Sequence, residues 1–336
     1  MMRQDSLPFH IITGFLGSGK TTLLKRLLEG QALGETALLI NEFGDVGIDH
    51  LLVEEIAPDT VLLPSGCVCC AVRGDLRQAL LDLHELRARG EVPAFRRVLL
   101  ETTGLADPAP LRATILRDPQ LRGRYRLGVQ TTVVDAMHAA LQEQVHPEWL
   151  AQVAAADRLL LSKLDLVEPA VATALQTRLA ALNPGATVGR ADAVSADDPA
   201  VLGQGVWGEQ AEAEVQGWSL WQGREMRPAV SHGSAQVCCL AFDAPLDWTR
   251  FGVWLSLLLR CHGDRVLRVK GVLEVQDSDA VIAIHGVQHC LHAPVHLPRR
   301  PAGMTGSRLV LIVRGLEMAA VQRSLNVFLG VDGRRV

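Results

Sequence analysis

The segment GFLGSGKTT at residues 14–22 constrains the fold of this chain more than any other feature. It lies between an apolar run and an amphipathic stretch and matches G-x-x-x-x-G-K-[ST], with the defining residues Gly14, Gly19, Lys20 and Thr21. Such a loop joins a strand to a helix, and its backbone N–H groups and the helix N-terminus surround phosphate groups. The segment therefore predicts a phosphate-binding loop in an α/β fold.

Short apolar runs alternate with amphipathic stretches from Phe9 to about Val188. This alternation is typical of a mostly parallel sheet whose strands are joined by helices. Most of the runs are apolar throughout, as expected of strands that are buried on both faces. Strands are predicted at residues 9–13, 37–41, 60–64, 97–101, 129–135 and 158–162, and helices at 21–30 and 74–90.

The length of 336 residues suggests about two domains. We expect a P-loop domain over residues 1–202, an irregular linker over 203–234 and a smaller α+β domain over 235–336. The last of these reads as four strands and two helices. The strands are predicted at 236–244, 264–275, 280–292 and 308–315, and the helices at 246–262 and 317–329.

Composition excludes several classes of function. The net charge of −4 lacks the basic footprint of a nucleic-acid-binding protein. The longest apolar run in a helical stretch, 251–259, is far shorter than the roughly 20 residues of a membrane span, so no membrane partner is expected. The N-terminus has no signal-peptide pattern, and we expect the protein to be cytoplasmic.

The phosphate-binding loop predicts the catalytic groups. Lys20 should contact the β and γ phosphates, and the Thr21 hydroxyl should bind Mg²⁺. Glu101, at the end of the predicted strand RVLLE, is the expected Walker-B acid that also holds Mg²⁺. The residues expected to bind the nucleotide here are Gly14, Gly17, Ser18, Gly19, Lys20, Thr21 and Thr22. Asp107, which precedes Pro108, fits a helix N-cap equally well.

The tetrapeptide Ser162-Lys163-Leu164-Asp165 resembles the N-K-x-D guanine motif of GTPases. Asp165 would accept hydrogen bonds from guanine N1–H and N2–H₂, which adenine does not offer in that arrangement. The aliphatic stem of Lys163 would cover the face of the base. Ser162 replaces the usual Asn and loses an amide contact, which predicts a weaker preference for guanine.

Three of the seven cysteines lie within four residues, in the segment SGCVCC at 65–70. Neighbouring cysteines are poorly placed to form structural disulfides, and thiolates are ligands for Zn²⁺ and other thiophilic cations. In a reducing compartment such a cluster indicates metal or redox chemistry. We expect Cys238, Cys239 and Cys261, by contrast, to behave as small buried apolar residues.

Taken together, these motifs resemble the CobW-type metallochaperone GTPases, relatives of the nickel-inserting UreG and HypB proteins, and especially their YjiA-like branch. The resemblance spans nearly the whole chain. It rests on GFLGSGKTT, NEFGDVGID (41–49), GCVCC (66–70), ETTGLADP (101–108) and SKLD (162–165), followed by PLDWTRFGVWL (245–255), VLRVKGVL (266–273) and GVQ (286–288). It implies a SIMIBI-type P-loop GTPase sheet with a smaller C-terminal α+β domain of the CobW type.

The resemblance also implies an activity, which is GTP hydrolysis coupled to delivery of a transition metal to a client metalloprotein. Zinc is the expected metal, with Co²⁺, Fe and Ni²⁺ left open. By motif position, the metal ligands would be Cys67, Cys69 and Cys70, with Glu42 close to the metal or to Mg²⁺. If residues 41–49 sense the γ-phosphate and help to complete the thiolate site, the GTP form binds metal more tightly, and the coupling is reciprocal.

Two features depart from the family pattern. Asp45 stands where many relatives have Glu, and the histidine-rich loop of many relatives is absent, which favours delivery over storage. Two alternative functions stay open at this stage. One is a metal buffer or sensor with little GTP turnover, and the other is a small-molecule kinase that uses ATP. A homodimer is also left open.

A cluster of His285, His289, Cys290, His292 and His296 stands apart from these motifs. On one continuous strand, His285 and His289 would share a face and His292 would point the other way. We expect ordinary surface or partner-contacting histidines here, with a second metal site as the alternative.

Overall fold

The computed structural model describes residues 6–29, 35–40, 61–64, 73–194, 235–278, 280–297, 305–331 and 333–335. The chain divides into two compact units. One consists of Met1–Thr177 and Val188–Gln210, and the other of Arg178–Thr187 and Ala211–Val336.

The first sheet is the α/β sheet that the sequence predicts. Its strands are β1 (Leu7–Gly14), β2 (Thr36–Ile40), β3 (Val61–Pro64), β4 (Arg97–Glu101), β5 (Tyr125–Asp135), β6 (Arg158–Ser162) and β7 (Thr187–Arg190). They lie in the order β3-β2-β4-β1-β5-β6-β7, and the first six pair in parallel. Strands β4 and β6 begin and end as predicted, whereas β5 begins at Tyr125 instead of residue 129.

Helices cover both faces of this sheet. They are α1 (Lys20–Glu29), α2 (Arg73–Arg89), α3 (Pro108–Arg117), α4 (Pro119–Arg122), α5 (Ala139–Val145), α6 (Pro147–Ala155) and α7 (Pro169–Leu182). Because side chains alternate along a strand, neighbouring residues enter different cores. One core joins α1 to Ile12, Leu38 and Leu99. The other core joins α2 and α3 to Ile11, Leu39 and Leu100.

The carboxyl ends of β1, β4, β5 and β6 meet at one edge of the sheet. The register pairs Ile12 with Glu101 and Asp135 with Ser162. Parallel strands all end at the same edge, which is where ligands bind in open α/β sheets. The residues that follow these strands are therefore brought together by topology alone.

The second unit has an antiparallel sheet, as predicted for an α+β domain. Its strands are β8 (Ala235–Phe242), β9 (Val266–Glu274), β10 (Val281–Val287), β11 (Cys290–Leu291), β12 (Val295–Leu297), β13 (Ser307–Arg314) and β14 (Arg334–Arg335). The order is β11-β10-β9-β13-β8-β14, and β12 pairs with β10. Helices α8 (Trp248–His262) and α9 (Met318–Leu329) pack on one face, with Phe251, Trp254 and Leu325 in the shared core.

The cysteines of this unit correct one expectation. Cys238 and Cys239 are buried in β8, as predicted, but Cys261 is exposed. The buried face of α8 follows Phe251, Trp254, Leu255, Leu258 and Leu259 at helical spacing. Cys261 lies seven residues after Trp254, at the margin of that stripe and in the last turn of the helix, where its side chain is exposed.

The histidine cluster corrects a second expectation, since residues 280–292 do not form one strand. The chain turns at Gln288, whose φ is 49°, and β10 and β11 form a hairpin that pairs Val287 with Cys290. His285 is buried, and its ring stacks on that of His292 with centroids 4.5 Å apart. The two histidines predicted to face opposite ways are therefore cross-strand neighbours.

The sequence predicts no membrane span. In the part of the chain that the structure describes, no helix combines the length and the apolar character that crossing a membrane requires.

His10 is fully buried in the middle of β1. Strand β5 shifts its register opposite this residue, and a Cβ on Gly128 would lie only 2.6 Å from Nδ1 of the ring. His10 Nδ1 accepts a hydrogen bond from Val129 N at 3.1 Å. Burial, helped by the charges of Arg97 and Arg126, lowers the pKa of His10 to about 3. The imidazole is therefore neutral in the folded protein at neutral pH.

Acid should destabilise the first unit through this histidine. The pKa of a histidine is ordinarily 6.5, whereas that of His10 in the folded protein is about 3. Between these two pH values, the unfolded chain therefore binds a proton that the folded chain does not. Stability therefore falls as the pH decreases, by about 2 kcal/mol from pH 7.5 to pH 5. In His10→Asn, whose amide oxygen can replace Nδ1 as acceptor, urea unfolding at both pH values should lack this loss.

His262→Asn is the matched control, since His262 is exposed at the end of α8. It should keep the full pH dependence of the wild type. Equal losses of unfolding free energy in the wild type and in His10→Asn would contradict the assignment to His10.

Candidate functional site

The loop between β1 and α1 turns tightly against β5. Gly14 has a φ of 147°, and a Cβ there would lie 2.3 Å from the carbonyl oxygen of Val133. Gly17 and Gly19 also have positive φ values, 67° and 94°. Residues other than glycine rarely adopt such angles. The three glycines therefore allow a loop conformation that side chains would strain.

Lys20 lies over this loop. Its Nζ donates to the carbonyl oxygens of Gly14 at 3.1 Å and Phe15 at 3.2 Å, and the residue is buried. Ser18 is also buried, and its N–H donates to Phe15 O at 3.1 Å. Thr22, in the first turn of α1, is exposed. The ammonium group is thus held at the loop, where it can meet the oxygens of a phosphate.

Glu101 ends β4 beside Thr21 of α1. Thr21 Oγ1 donates to Glu101 Oε1 at 3.0 Å, and Glu101 is only 3% exposed. The next residue fixes the strand end, because Thr102 N donates to Ile12 O and Thr102 Oγ1 donates to Thr13 Oγ1. A hydroxyl and a carboxylate are oxygen ligands of the kind that Mg²⁺ takes. The two residues expected to hold that ion are therefore in contact.

Ser162 connects the second motif to the phosphate-binding loop. It ends β6, and its Oγ donates to Ser18 O at 2.6 Å. Lys163 has a left-handed backbone, with φ 56° and ψ 34°, and Asp165 is exposed in the short 3-10 helix Leu164–Leu166. The tetrapeptide and the loop are neighbours at the same sheet edge.

Sequence reasoning misses Gly104, three residues after Glu101. A Cβ on Gly104 would lie 2.5 Å from the backbone nitrogen of Leu16, inside the phosphate-binding loop. Gln152 of α6 holds this segment, since its Nε2 donates to Gly104 O at 3.1 Å and Ala106 O at 3.0 Å. The spacing E-x-x-G after a strand is the signal that could identify this glycine.

Sequence reasoning also misses Asp135, the last residue of β5. Its buried carboxylate accepts a hydrogen bond from Lys163 Nζ at 2.7 Å. An acidic residue at the end of a buried strand, at the edge where the other motifs lie, is the signal that was available.

Asp107 has a structural role. Its Oδ1 accepts a hydrogen bond from Ala109 N at 2.9 Å, and Pro108 occupies the first position of α3. This is an N-cap arrangement, which satisfies a donor at the start of the helix. The N-cap interpretation of Asp107 is confirmed.

The residues proposed for the transition metal lie outside the described ranges. These are Glu42, Cys67, Cys69 and Cys70, and the neighbouring Asp45 and Asp49 lie outside as well. Within the described ranges, no group of three or more His, Cys, Asp or Glu residues is placed to hold a metal ion. This result also covers the histidine cluster around the β10–β11 hairpin.

Substitution of Gly104 should disturb the phosphate-binding loop. The methyl group of Gly104→Ala meets the Leu16 backbone, which cannot move aside as a flexible side chain would. We expect affinity for nucleoside triphosphate to fall about tenfold or more, as measured by equilibrium titration. Gly252→Ala in α8, where a Cβ meets nothing within 4 Å, should leave the affinity unchanged. Full affinity in Gly104→Ala would contradict the close contact.

Two family matches divide the chain between them. Residues 8–190 match the family described as "CobW/HypB/UreG, nucleotide-binding domain". Residues 235–329 match the "Cobalamin synthesis protein cobW C-terminal domain". The first match alone covers more than half of the chain.

Individual relatives agree with these matches. The zinc chaperone YjiA of Escherichia coli is 32% identical over 283 residues, which cover 84% of this chain and 86% of the relative. The zinc-regulated GTPase metalloprotein activator 1 of Schizosaccharomyces pombe is 31% identical over 229 residues, covering 64% of this chain but only 53% of that protein.

A solved structure matches along nearly the full length. The crystal structure of the Zn(II)-bound YjiA GTPase from E. coli superposes with a TM-score of 0.72 at 27% identity, covering 97% of this chain and 99% of that one. The resemblance seen in the motifs is thereby confirmed. This chain belongs to the CobW/HypB/UreG family and combines its nucleotide-binding domain with a cobW C-terminal domain.

Proposed function

We propose that this protein is a GTPase that binds zinc and transfers it to a client protein, with the nucleotide state controlling how tightly the metal is held. The observation that carries the GTPase part of the proposal is the meeting of Lys20, the Thr21–Glu101 pair and the Ser162 tetrapeptide at one sheet edge. The family membership supports it, as do the relatives named a zinc chaperone and a zinc-regulated GTPase metalloprotein activator.

The phosphates are assigned to the loop of residues 14–22. Its backbone N–H groups and the N-terminus of α1 supply donors and positive potential, and the glycines let the backbone approach closely. Lys20 is already held against Gly14 O and Phe15 O, so little reorganisation is needed for its ammonium to meet the phosphate oxygens. Gly17, Ser18, Gly19 and Thr22 complete the predicted contact set.

Mg²⁺ fits the pair of Thr21 and Glu101. Their oxygens lie 3.0 Å apart at the phosphate-binding loop, and the Glu101 carboxylate is almost fully buried. When bound, the ion neutralises charge on the phosphates. Thr21 and Glu101 would hold it there, and the contact of Thr102 with Ile12 and Thr13 keeps the carboxylate in place.

The guanine base is assigned to Lys163 and Asp165. Asp165 is exposed, and the backbone before it is anchored through Ser162 to the phosphate-binding loop. A carboxylate accepts the two donors of the guanine edge, whereas adenine offers no such pair. This favours GTP and weighs against the ATP-using kinase.

By motif position, the metal cargo is assigned to Cys67, Cys69 and Cys70, with Glu42 as the carboxylate expected close to the metal or to Mg²⁺. Thiolates suit zinc, and they would also accept Co²⁺, Fe or Ni²⁺. The relatives' names favour zinc. The division into a GTPase domain over 1–202, a linker over 203–234 and a CobW-type domain over 235–336 stays a prediction.

Base preference tests the guanine assignment. In Asp165→Asn, an amide donor replaces one acceptor oxygen, so the residue complements the carbonyl at C2 of xanthine instead of the amino group of guanine. We expect the affinity for GTP to fall about tenfold or more, because a hydrogen bond to a charged group is lost. The affinity for XTP should rise, because the new amide donor faces the C2 carbonyl. Titration with GTP, XTP and ATP measures this. Wild-type protein that prefers ATP would support the kinase instead.

Metal coupling tests the delivery function. A Zn²⁺ competition titration against a chromophoric chelator should give an affinity about tenfold tighter with a Mg–GTP analogue than with Mg–GDP, a coupling of about 1.4 kcal/mol. Changing Cys67, Cys69 and Cys70 to Ser should abolish both the affinity and the coupling. Cys261→Ser is the matched control, since Cys261 is an exposed cysteine outside the motif.

Two measurements separate the candidate functions. If added Zn²⁺ accelerates GTP hydrolysis, the buffer or sensor is eliminated, because that function has negligible turnover. Equal Zn²⁺ affinity in both nucleotide states would contradict the proposal that the nucleotide state controls zinc delivery.

A further inference from the structure

Asp135 is a buried charge at the edge where the site residues meet. It is the last residue of β5, its register partner is Ser162, and it is 1% exposed. Ala136 N donates to Ser162 O at 3.1 Å, which ties the two strand ends together. Burying a carboxylate is costly unless donors compensate it. The contacts that compensate Asp135 therefore indicate its role.

Three donors converge on this carboxylate. Oδ2 accepts hydrogen bonds from Lys163 Nζ at 2.7 Å and from His138 Nδ1 at 2.8 Å, and Oδ1 accepts one from Met137 N at 2.9 Å. Burial by itself raises the pKa of Asp135, but the hydrogen bonds from Lys163 and His138 outweigh it and hold the pKa below its usual value. Asp135 is thus an anion at neutral pH, with Lys163 as a cationic partner.

Lys163 has a backbone that needs support. Its left-handed conformation is unfavourable for a residue with a Cβ, and such conformations persist only where the surroundings impose them. The ion pair with Asp135 fixes the far end of the Lys163 side chain. The hydrogen bond from Ser162 Oγ to Ser18 O fixes the backbone just before Lys163. The lysine is therefore held at both ends.

We propose that Asp135 is a positioning residue of the base site, which rests on the function proposed above. By holding Nζ of Lys163, the Asp135 carboxylate keeps the aliphatic stem of the lysine where it can cover the face of the base. It also keeps the turn that presents Asp165, two residues further on. The ligand affected is the base of a guanine nucleotide, and the phosphates are held separately.

The phosphate-binding loop has its own supports. Gly14 is packed against Val133, and Gly104 is packed against Leu16 and held by Gln152. Removing the negative charge of Asp135 leaves these contacts in place. A defect confined to base binding is therefore the signature of the proposed role, whereas a general loss of packing would weaken phosphate binding as well.

The test compares a nucleotide with a ligand that has no base. In Asp135→Asn and Asp135→Ala, we expect the affinity for N-methylanthraniloyl-GDP to fall about tenfold, the size of one hydrogen bond to a charged group. Competition by inorganic tripolyphosphate should stay within about twofold of the wild type. Asp135→Asn retains the side-chain shape and keeps the test available if the alanine variant does not fold.

Asp118→Asn is the matched control. Asp118 also lies in the first unit and pairs with a cation, Arg77, at 2.7 Å. It belongs to the cap of α4, where its Oδ1 accepts from Gln120 N and Leu121 N. Asp118→Asn should leave the affinities for the labelled GDP and for tripolyphosphate unchanged. If this variant lost as much affinity for the labelled GDP as the Asp135 variants, the effect would be general destabilisation.

A double-mutant cycle completes the test. In a Lys163→Met background, the stem remains but the ammonium is gone, so adding Asp135→Asn should change nucleotide affinity less than twofold. Unchanged nucleotide affinity in both single Asp135 variants, or an equal loss of tripolyphosphate binding, overturns the positioning role. Wild-type protein without preference for guanine over adenine nucleotides overturns the proposed function itself, which is a separate result.

Discussion

The close approach of Gly14 to Val133 is the constraint on which the rest of the site depends. Strand β1 can end against β5 in this way only because residue 14 has no Cβ and adopts a φ of 147°. The turn that follows leads directly into α1, whose first residues stay in contact with the loop and with the end of β4. Lys20 and Thr21 are consequently the first residues of a helix, placed beside the ends of the neighbouring strands.

Parallel pairing then assembles the remaining groups without any need for them to be close in sequence. Glu101, Asp135 and Ser162 each end a strand, and the registers of β4, β5 and β6 carry them to the same edge. Single hydrogen bonds join them to the loop and to each other, namely Thr21 to Glu101, Ser162 to Ser18 and Lys163 to Asp135. The site is a set of strand ends that one loop connects.

Much of this was accessible from sequence, because buried parallel strands read as apolar runs and the P-loop pattern specifies its own flanking elements. Three features are not accessible from the sequence, each for its own reason. The hairpin at Gln288 has no glycine in its turn to mark it, so the sequence of 280–292 predicts one continuous strand. The position of Asp135 at a strand end is visible in the sequence, but its ion pair with Lys163 is not. The exposure of Cys261 is not visible in the sequence, because this residue lies at the margin of the buried stripe of α8.

The packing of Gly104 against Leu16 has a consequence for the rigidity of the site. The phosphate-binding loop is pressed against a segment that Gln152 holds by two hydrogen bonds, so the loop and residues 101–104 behave as one piece. The shape of the loop is therefore set from outside as well as by its own glycines, because Gly104 and Gln152 support it from the chain that follows β4.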